Sequence, residues 1–159
     1  TTGVRVYPTH VDPGMVAQMV VSTHHAHAHD KGVTLHHERS GGTGMVHTDP
    51  TALQTILDHL VSNAVKFTPS GGSVRVTTSV SGNNLTLTTE DSGPGFTAQD
   101  KEQLFEKYAV LSARPTAGEL STGLGLNITH NHVKALSGSI ELTSESGQGA
   151  RWTVKIPSM

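Results

Sequence analysis

Leu53, Ile56, Leu57, Leu60 and Ala64 recur at the spacing of one helix face, and Asp49-Pro50 ahead of them supplies an N-cap with proline at the first helical position. The same signal at Asp12-Pro13 opens an earlier helix that carries Met15, Val16, Met19 and Val20, runs through the histidine-rich residues 22–29 and stops near Gly32. A last helix is predicted from about Leu124 to Leu136, capped by Gly138. Strands are marked by shorter stretches, mostly alternating with period two. Residues 4–7 end at Pro8, residues 33–35 and 45–47 flank a turn-rich connection, and residues 74–80 and 85–89 form a hairpin turning at Ser81-Gly82-Asn83-Asn84. Two closing strands surround Gly147-Gln148-Gly149. Thr97 with Asp100 resembles a capping box opening a short helix through Leu104-Phe105, while residues 109–122 have no periodicity and are long enough for a mobile lid. The element order predicts an α+β domain with an antiparallel or mixed sheet and helices on one face.

Composition narrows the class. With 159 residues, 34% hydrophobic and 4% aromatic, the chain can bury one core built mainly from Val, Leu, Ile and Ala. The absence of cysteine excludes disulfides, thiolate zinc sites and a Cys nucleophile. Eleven Lys and Arg against 13 Asp and Glu argue against a dedicated nucleic-acid binder. No run approaches the roughly 18 consecutive apolar residues of a membrane span, and no signal-peptide pattern opens the chain. A start at Thr1 in place of Met is expected of a piece of a longer protein.

Three segments carry candidate chemistry. His59, Asn63 and Lys66 fall at i, i+4 and i+7 on the predicted helix after Pro50, one stripe beside its apolar face. The Asn oxygen is a hard ligand suited to Mg²⁺ and the Lys ammonium neutralises phosphate, although a solvated helix face has the same appearance. Asp91-Ser92-Gly93-Pro94-Gly95 follows a strand, so that a carboxylate could accept from an exocyclic amine while the glycines admit a flat ligand; a plain turn uses the same residue types. Ser121-Thr122-Gly123-Leu124-Gly125-Leu126-Asn127 stands at a predicted helix entrance, where free N–H groups and the helix dipole favour an anion. It is neither a Walker A sequence nor a dinucleotide fingerprint.

In this order the segments resemble the catalytic, ATP-binding domain of bacterial-type sensor histidine kinases, a branch of the superfamily shared with gyrase, the large ATP-dependent chaperone and mismatch-repair ATPases. Leu60-Val61-Ser62-Asn63-Ala64-Val65-Lys66-Phe67-Thr68-Pro69 resembles the N box, Asp91-Ser92-Gly93-Pro94-Gly95 the G1 box, Leu104-Phe105-Glu106-Lys107-Tyr108 the F box, Ser121 to Leu126 the G2 box, and Gly147-Gln148-Gly149 the final glycine turn. The resemblance implies a two-layer α/β sandwich of the Bergerat type, a mixed, mostly antiparallel sheet under three main helices, as a single catalytic domain over residues 1–159. It implies that Asp91 binds the adenine amino group, that Asn63 holds Mg²⁺ and that Lys66 contacts phosphate. Gly93 and Gly95 would leave room for the base, with Phe67 on the adenine side; His59, Phe105 and Tyr108 join the expected ATP site. Ser121, Thr122, Gly123, Leu124, Gly125 and Leu126 would shape the lid and phosphate end.

The expected function is therefore to bind Mg-ATP and donate its γ-phosphate to a histidine on a helical dimerisation domain outside this chain, in cytoplasmic two-component signalling with a response regulator downstream. The fragment alone is expected to be monomeric and unable to autophosphorylate, without nucleic-acid or membrane contacts of its own. The alternatives are a degenerate nucleotide-binding scaffold without efficient transfer, or a serine kinase of the anti-sigma type. Two positions depart from the family pattern: His59 replaces an Asn, introducing a group that titrates near pH 6.5, and Val110 stands close to where a cation is usual. His25 and His29, or His24 and His27, have metal-chelating spacing but lack a further ligand at fixed spacing, so a solvated face is expected. His37-Glu38-Arg39-Ser40 resembles a phosphoacceptor motif only superficially, and His130 and His132 read as surface residues.

Overall fold

The computed structural model describes residues 5–41, 44–95, 124–144 and 147–159, with side chains in the last helix described from Ile128 onward. In chain order the elements are β1 (Thr9–Val11), α1 (Pro13–Lys31), β2 (Thr34–Arg39), β3 (Val46–Thr48), α2 (Pro50–Phe67), β4 (Ser73–Ser81), β5 (Asn84–Asp91), α3 (Leu124–Ala135), β6 (Ser139–Ser144) and β7 (Ala150–Pro157). Five strands form a sheet in the order β2-β4-β5-β7-β6, while β1 and β3 pair separately. Only β2 with β4 is parallel in the large sheet; the other pairs are antiparallel.

One face of the sheet is covered. Val74, Val76 and Thr78 of β4, Leu85, Leu87 and Thr89 of β5, and Trp152, Val154 and Ile156 of β7 are all buried, and alternate with outward-facing Arg75, Glu90, Arg151 and Lys155. Against them α2 contributes Leu53, Ile56, Leu57, Leu60 and Ala64, the stripe its spacing predicts, joined by Val61 and Val65. These form one core with Val20 and Val21 of α1 and Val133 and Leu136 at the end of α3.

Both cap-and-proline signals are realised. Asp12 accepts from Gly14 N at 3.0 Å and is also held by Arg39 at 2.8 Å. Asp49 is buried and accepts from Thr51 N at 2.8 Å, Ala52 N at 3.2 Å and, from 42 residues away, Tyr7 N at 2.9 Å. Asp49→Ala strands three donors and is expected to cost about 1–2 kcal/mol in urea denaturation, the upper part of the N-cap range.

Three expectations need correction. Residues 5–8 are not a strand: the Tyr7 N–H turns toward the Asp49 cap, Pro8 has no N–H to give, and the ladder to β3 begins at Thr9, opposite Thr48. The second strand runs on to Arg39, because parallel pairing with β4 satisfies its backbone beyond the apolar Leu35. On α1, Met15 and Met19 are each 60% exposed, and Ala17, Val20, Val21 and Ala28 form the buried face. The short helix expected after Thr97 and the aperiodic residues 109–122 lie outside the described residues. Among the described residues no helix is long and apolar enough to cross a membrane.

Candidate functional site

Asp91 is the last residue of β5, opposite Ala150 of β7. Its side chain shares the helix-covered side with Leu85, Leu87 and Thr89, so the alternation of β5 delivers a carboxylate to the end of the core. Burial pushes that carboxyl up to about 6 from an ordinary 3.8, opposed by hydrogen bonds from the backbone N–H groups of Gly93 and Ala150. The Gly93 bond to Oδ1 is 2.9 Å.

Glycines shape the space around it. A Cβ on Gly93 would meet the Phe67 carbonyl oxygen and come within 3.0 Å of Asp91 Oδ1, so the loop after β5 lies against the end of α2 as only glycine allows. Gly149, with φ +81°, abuts the Asp91 carbonyl in the same way from β7's side. Ser92 fixes the loop to β4, its N–H donating to Ser73 O at 3.1 Å and its Oγ accepting from Ser73 N at 2.9 Å. The Gly147 N–H donates to Pro94 O, joining the two glycine turns. A cavity of about 470 Å³ at this end of the sheet is walled by outward-facing Glu90 and Arg151 together with Asp91, Ser144 and Gln148, and no described α2 residue lines it.

On α2 the stripe lies where the sequence puts it. His59, Asn63 and Lys66 are half-buried beside the core face, and Phe67 ends the helix with its ring buried and its carbonyl toward Gly93. At about 1.5 Å of rise per residue, Lys66 is next to the Gly93 contact, Asn63 about one turn back and His59 about two. His59 Nδ1 is 3.3 Å from Thr129 Oγ1 of α3. Burial lowers the His59 pKa below 6.5, helped by His132 and Lys66 and opposed by Asp58, so its charge change falls below the near-6.5 range expected from sequence. Asp58 is engaged elsewhere, 2.6 Å from His24 Nε2.

Of the other predicted residues, Gly95 follows Pro94 with φ +73°. Leu124, Gly125 and Leu126 form the first turn of α3, whereas Phe105, Tyr108, Ser121, Thr122 and Gly123 lie outside the described residues. His25, His27 and His29 are exposed on α1, and among the described residues no cluster of three or more His, Asp or Glu side chains could hold a metal. His37 is in β2, its ring between Gln18 and Thr78, and His132 Nδ1 bonds to the Ile128 carbonyl at 2.9 Å.

Sequence reasoning missed two contributors. Ala150 serves through its backbone N–H, which leaves no mark on residue type. Lys31, at the end of α1, donates to the Val65 and Lys66 carbonyls at 2.8 and 2.7 Å; a basic residue beside a helix end was its only signal.

The family model described as histidine kinase-, DNA gyrase B- and HSP90-like ATPase matches residues 48–159. An uncharacterized sensor-like histidine kinase of Rhizobium meliloti is 32% identical over 155 residues, which cover 96% of this chain and 30% of that protein. The sensor protein EvgS of Escherichia coli is 38% identical over 119 residues, 71% of this chain and 10% of its own length. The chain thus spans less than a third of either relative. The crystal structure of full-length ShkA in complex with AMPPNP superposes with a TM-score of 0.83 at 28% identity, covering 98% of this chain and 32% of that one. The nucleotide-free catalytic domain of the histidine kinase ThkA shares the fold, with a TM-score of 0.82 at 21% identity over 96% of both chains. With its helix-covered mixed sheet and its two glycine turns converging on Asp91, this chain belongs to the histidine kinase-, DNA gyrase B- and HSP90-like ATPase family, as an ATPase domain of the sensor histidine kinase kind.

Proposed function

We propose that this domain binds ATP with Mg²⁺ between the end of β5 and α2, and presents the γ-phosphate to a histidine on a helical domain outside these residues, with a response regulator as the later acceptor. The observation that carries this reading is the half-buried Asp91 carboxylate beside a glycine that leaves no room for a side chain, with Lys66 and Asn63 following on the adjoining helix. A carboxylate accepts from the exocyclic amine of adenine, and Gly93, packed on the Phe67 carbonyl, holds that carboxylate through its N–H. Lys66 neutralises phosphate charge, and Asn63 offers the single hard oxygen that suits Mg²⁺, which otherwise keeps water and phosphate oxygens. Bound there, Mg²⁺ would supply charge neutralisation across the phosphates. In the transfer an imidazole nitrogen forms the N–P bond as the bond from the γ-phosphorus to the β–γ bridging oxygen breaks, and ADP leaves with that electron pair. The chain's part is positioning and electrostatics.

Calorimetric titration of ATP tests the binding. The wild type should bind saturably and more weakly once Mg²⁺ is chelated, whereas Asn63→Ala should lose most of that Mg²⁺ dependence, about tenfold in affinity. Absence of binding in the wild type overturns the reading. The bond from His59 to Thr129 favours a second one, a nucleotide-binding module whose α2 stripe is structural and transfers no phosphate. Adding the phosphoacceptor domain of the parent kinase and following labelled phosphate separates them: intact ATP binding with no phosphohistidine leaves the second.

A further inference from the structure

The last turn of a helix leaves four carbonyls without intrahelical partners. At the end of α2, Thr68 covers part of this need, its Oγ1 bonding to Ala64 O at 2.7 Å and its N–H reaching Val65 O at 3.3 Å. Lys31 adds two bonds from another helix, charge-assisted, to the Val65 and Lys66 carbonyls, where a cation is also favoured by the dipole. The next carbonyl, that of Phe67, faces Gly93, and the Gly93 N–H holds Asp91 Oδ1.

We infer that Lys31 is a positioning residue for the base end of the nucleotide site: it fixes the last turn of α2, against which Gly93 packs and through which Asp91 is aimed. This rests on the nucleotide reading above. Lys31 is well placed to act as a fixed point because its own surroundings are pinned. Gly32 closes α1 in the left-handed conformation at φ +80° and donates to His29 O at 3.0 Å, Gly71 N donates to Gly32 O at 2.8 Å, and Thr34 N to Gly72 O at 3.0 Å. The ends of α1 and α2 and the start of β4 therefore meet in one hydrogen-bonded joint, and a shift of that turn toward Gly93 would press on the residue whose N–H holds Asp91.

Because Lys31 acts through Gly93 and Asp91 as well as on the turn that carries Lys66, its loss should weaken adenine ligands even when they carry no phosphate. In Lys31→Met the affinity for adenosine is expected to fall about tenfold and that for Mg-ATP by at least as much, and Lys31→Arg, which keeps the charge and the donors, should restore most of both. A second readout needs no nucleotide: the ¹³C titration midpoint of the Asp91 carboxyl in the free domain should move in Lys31→Met and return in Lys31→Arg. Unchanged adenosine affinity and an unchanged midpoint in folded Lys31→Met overturn the inference, as does a loss confined to phosphate-bearing ligands. Lys31→Gln takes the place of Lys31→Met if the latter does not unfold cooperatively. A wild type that binds neither ligand overturns the nucleotide reading instead, and the carboxyl midpoint then decides alone whether Lys31 positions Asp91.

Discussion

Asp91→Asn should make the free domain more stable at about pH 7.5 and, in the same protein, weaken ATP binding by about a hundredfold or more. The two effects have one origin. Burial holds the Asp91 carboxyl at about 6, above its ordinary 3.8, so between these values the folded chain binds more protons than the unfolded chain. Stability contributed by this group is complete below about pH 4 and is lost as the pH rises through about 6. At about 1.4 kcal/mol per pH unit the whole difference is at most about 3 kcal/mol, and a gain of about 1–3 kcal/mol is expected for the uncharged amide. The amide cannot serve the ligand, however. Its oxygen remains with the Gly93 N–H, which turns the NH₂ group toward the adenine amine and sets donor against donor. Urea denaturation at pH 4 and 7.5 checks the first effect, since the advantage of Asp91→Asn should be near zero at the lower pH. Calorimetry checks the second, and a variant that binds ATP normally would remove Asp91 from the site.

The two glycines that bracket Gln148 make a controlled pair. Both adopt positive φ, +85° at Gly147 and +81° at Gly149, so alanine at either position carries the left-handed cost of about 1–2 kcal/mol. A Cβ at Gly147 meets nothing within 4 Å, whereas one at Gly149 runs into the Asp91 carbonyl, which is backbone and cannot swing aside. Gly147→Ala is therefore expected to lose only that conformational term. Gly149→Ala must also prise the end of β5 from β7, for a total of about 3–5 kcal/mol, a large share of the roughly 5–15 kcal/mol that holds a domain of this size together. Since the displaced pair is Asp91 with Ala150, ATP affinity should fall in Gly149→Ala and hold in Gly147→Ala. Equal losses in stability and affinity would show that the close approach at Gly149 carries no energetic weight.

What could be read from the sequence follows what is local. The spacing of Leu53 to Ala64 and the Asp-Pro caps are decided within a few residues, and they appear where they should. The β4–β5 hairpin was legible from alternation and a Gly-Asn turn; its strands extend a little further than predicted because β2 pairs with Ser73 and Val74 pairs with Asp91. Non-local choices were not legible. Nothing near Tyr7 says that its N–H is needed by Asp49, or that Thr9 will lie opposite Thr48. Met15 and Met19 look like core residues until Ala17 and Val20 are seen facing inward. Of the residues proposed for the site, Asp91, Asn63 and Lys66 stand out by side-chain type, whereas Ala150 contributes through its backbone and Lys31 through two carbonyls of another helix.

The strand order has a consequence for how the domain assembles. β5 meets β4 across a two-residue turn, but its other edge is filled by β7, where Leu85 pairs with Ile156 from the far end of the chain. Met159 N then donates to His47 O at 2.7 Å, a contact between residues 112 positions apart. Closing loops of such length is entropically expensive and favours late docking, after the hairpin. Until β7 arrives, β5 is an open sheet edge and Asp91 has no Ala150 N–H beside it. The carboxylate's cradle thus depends on a strand drawn from a distant part of the sequence, so the motifs of the candidate pocket gain their geometry only through a long-range pairing.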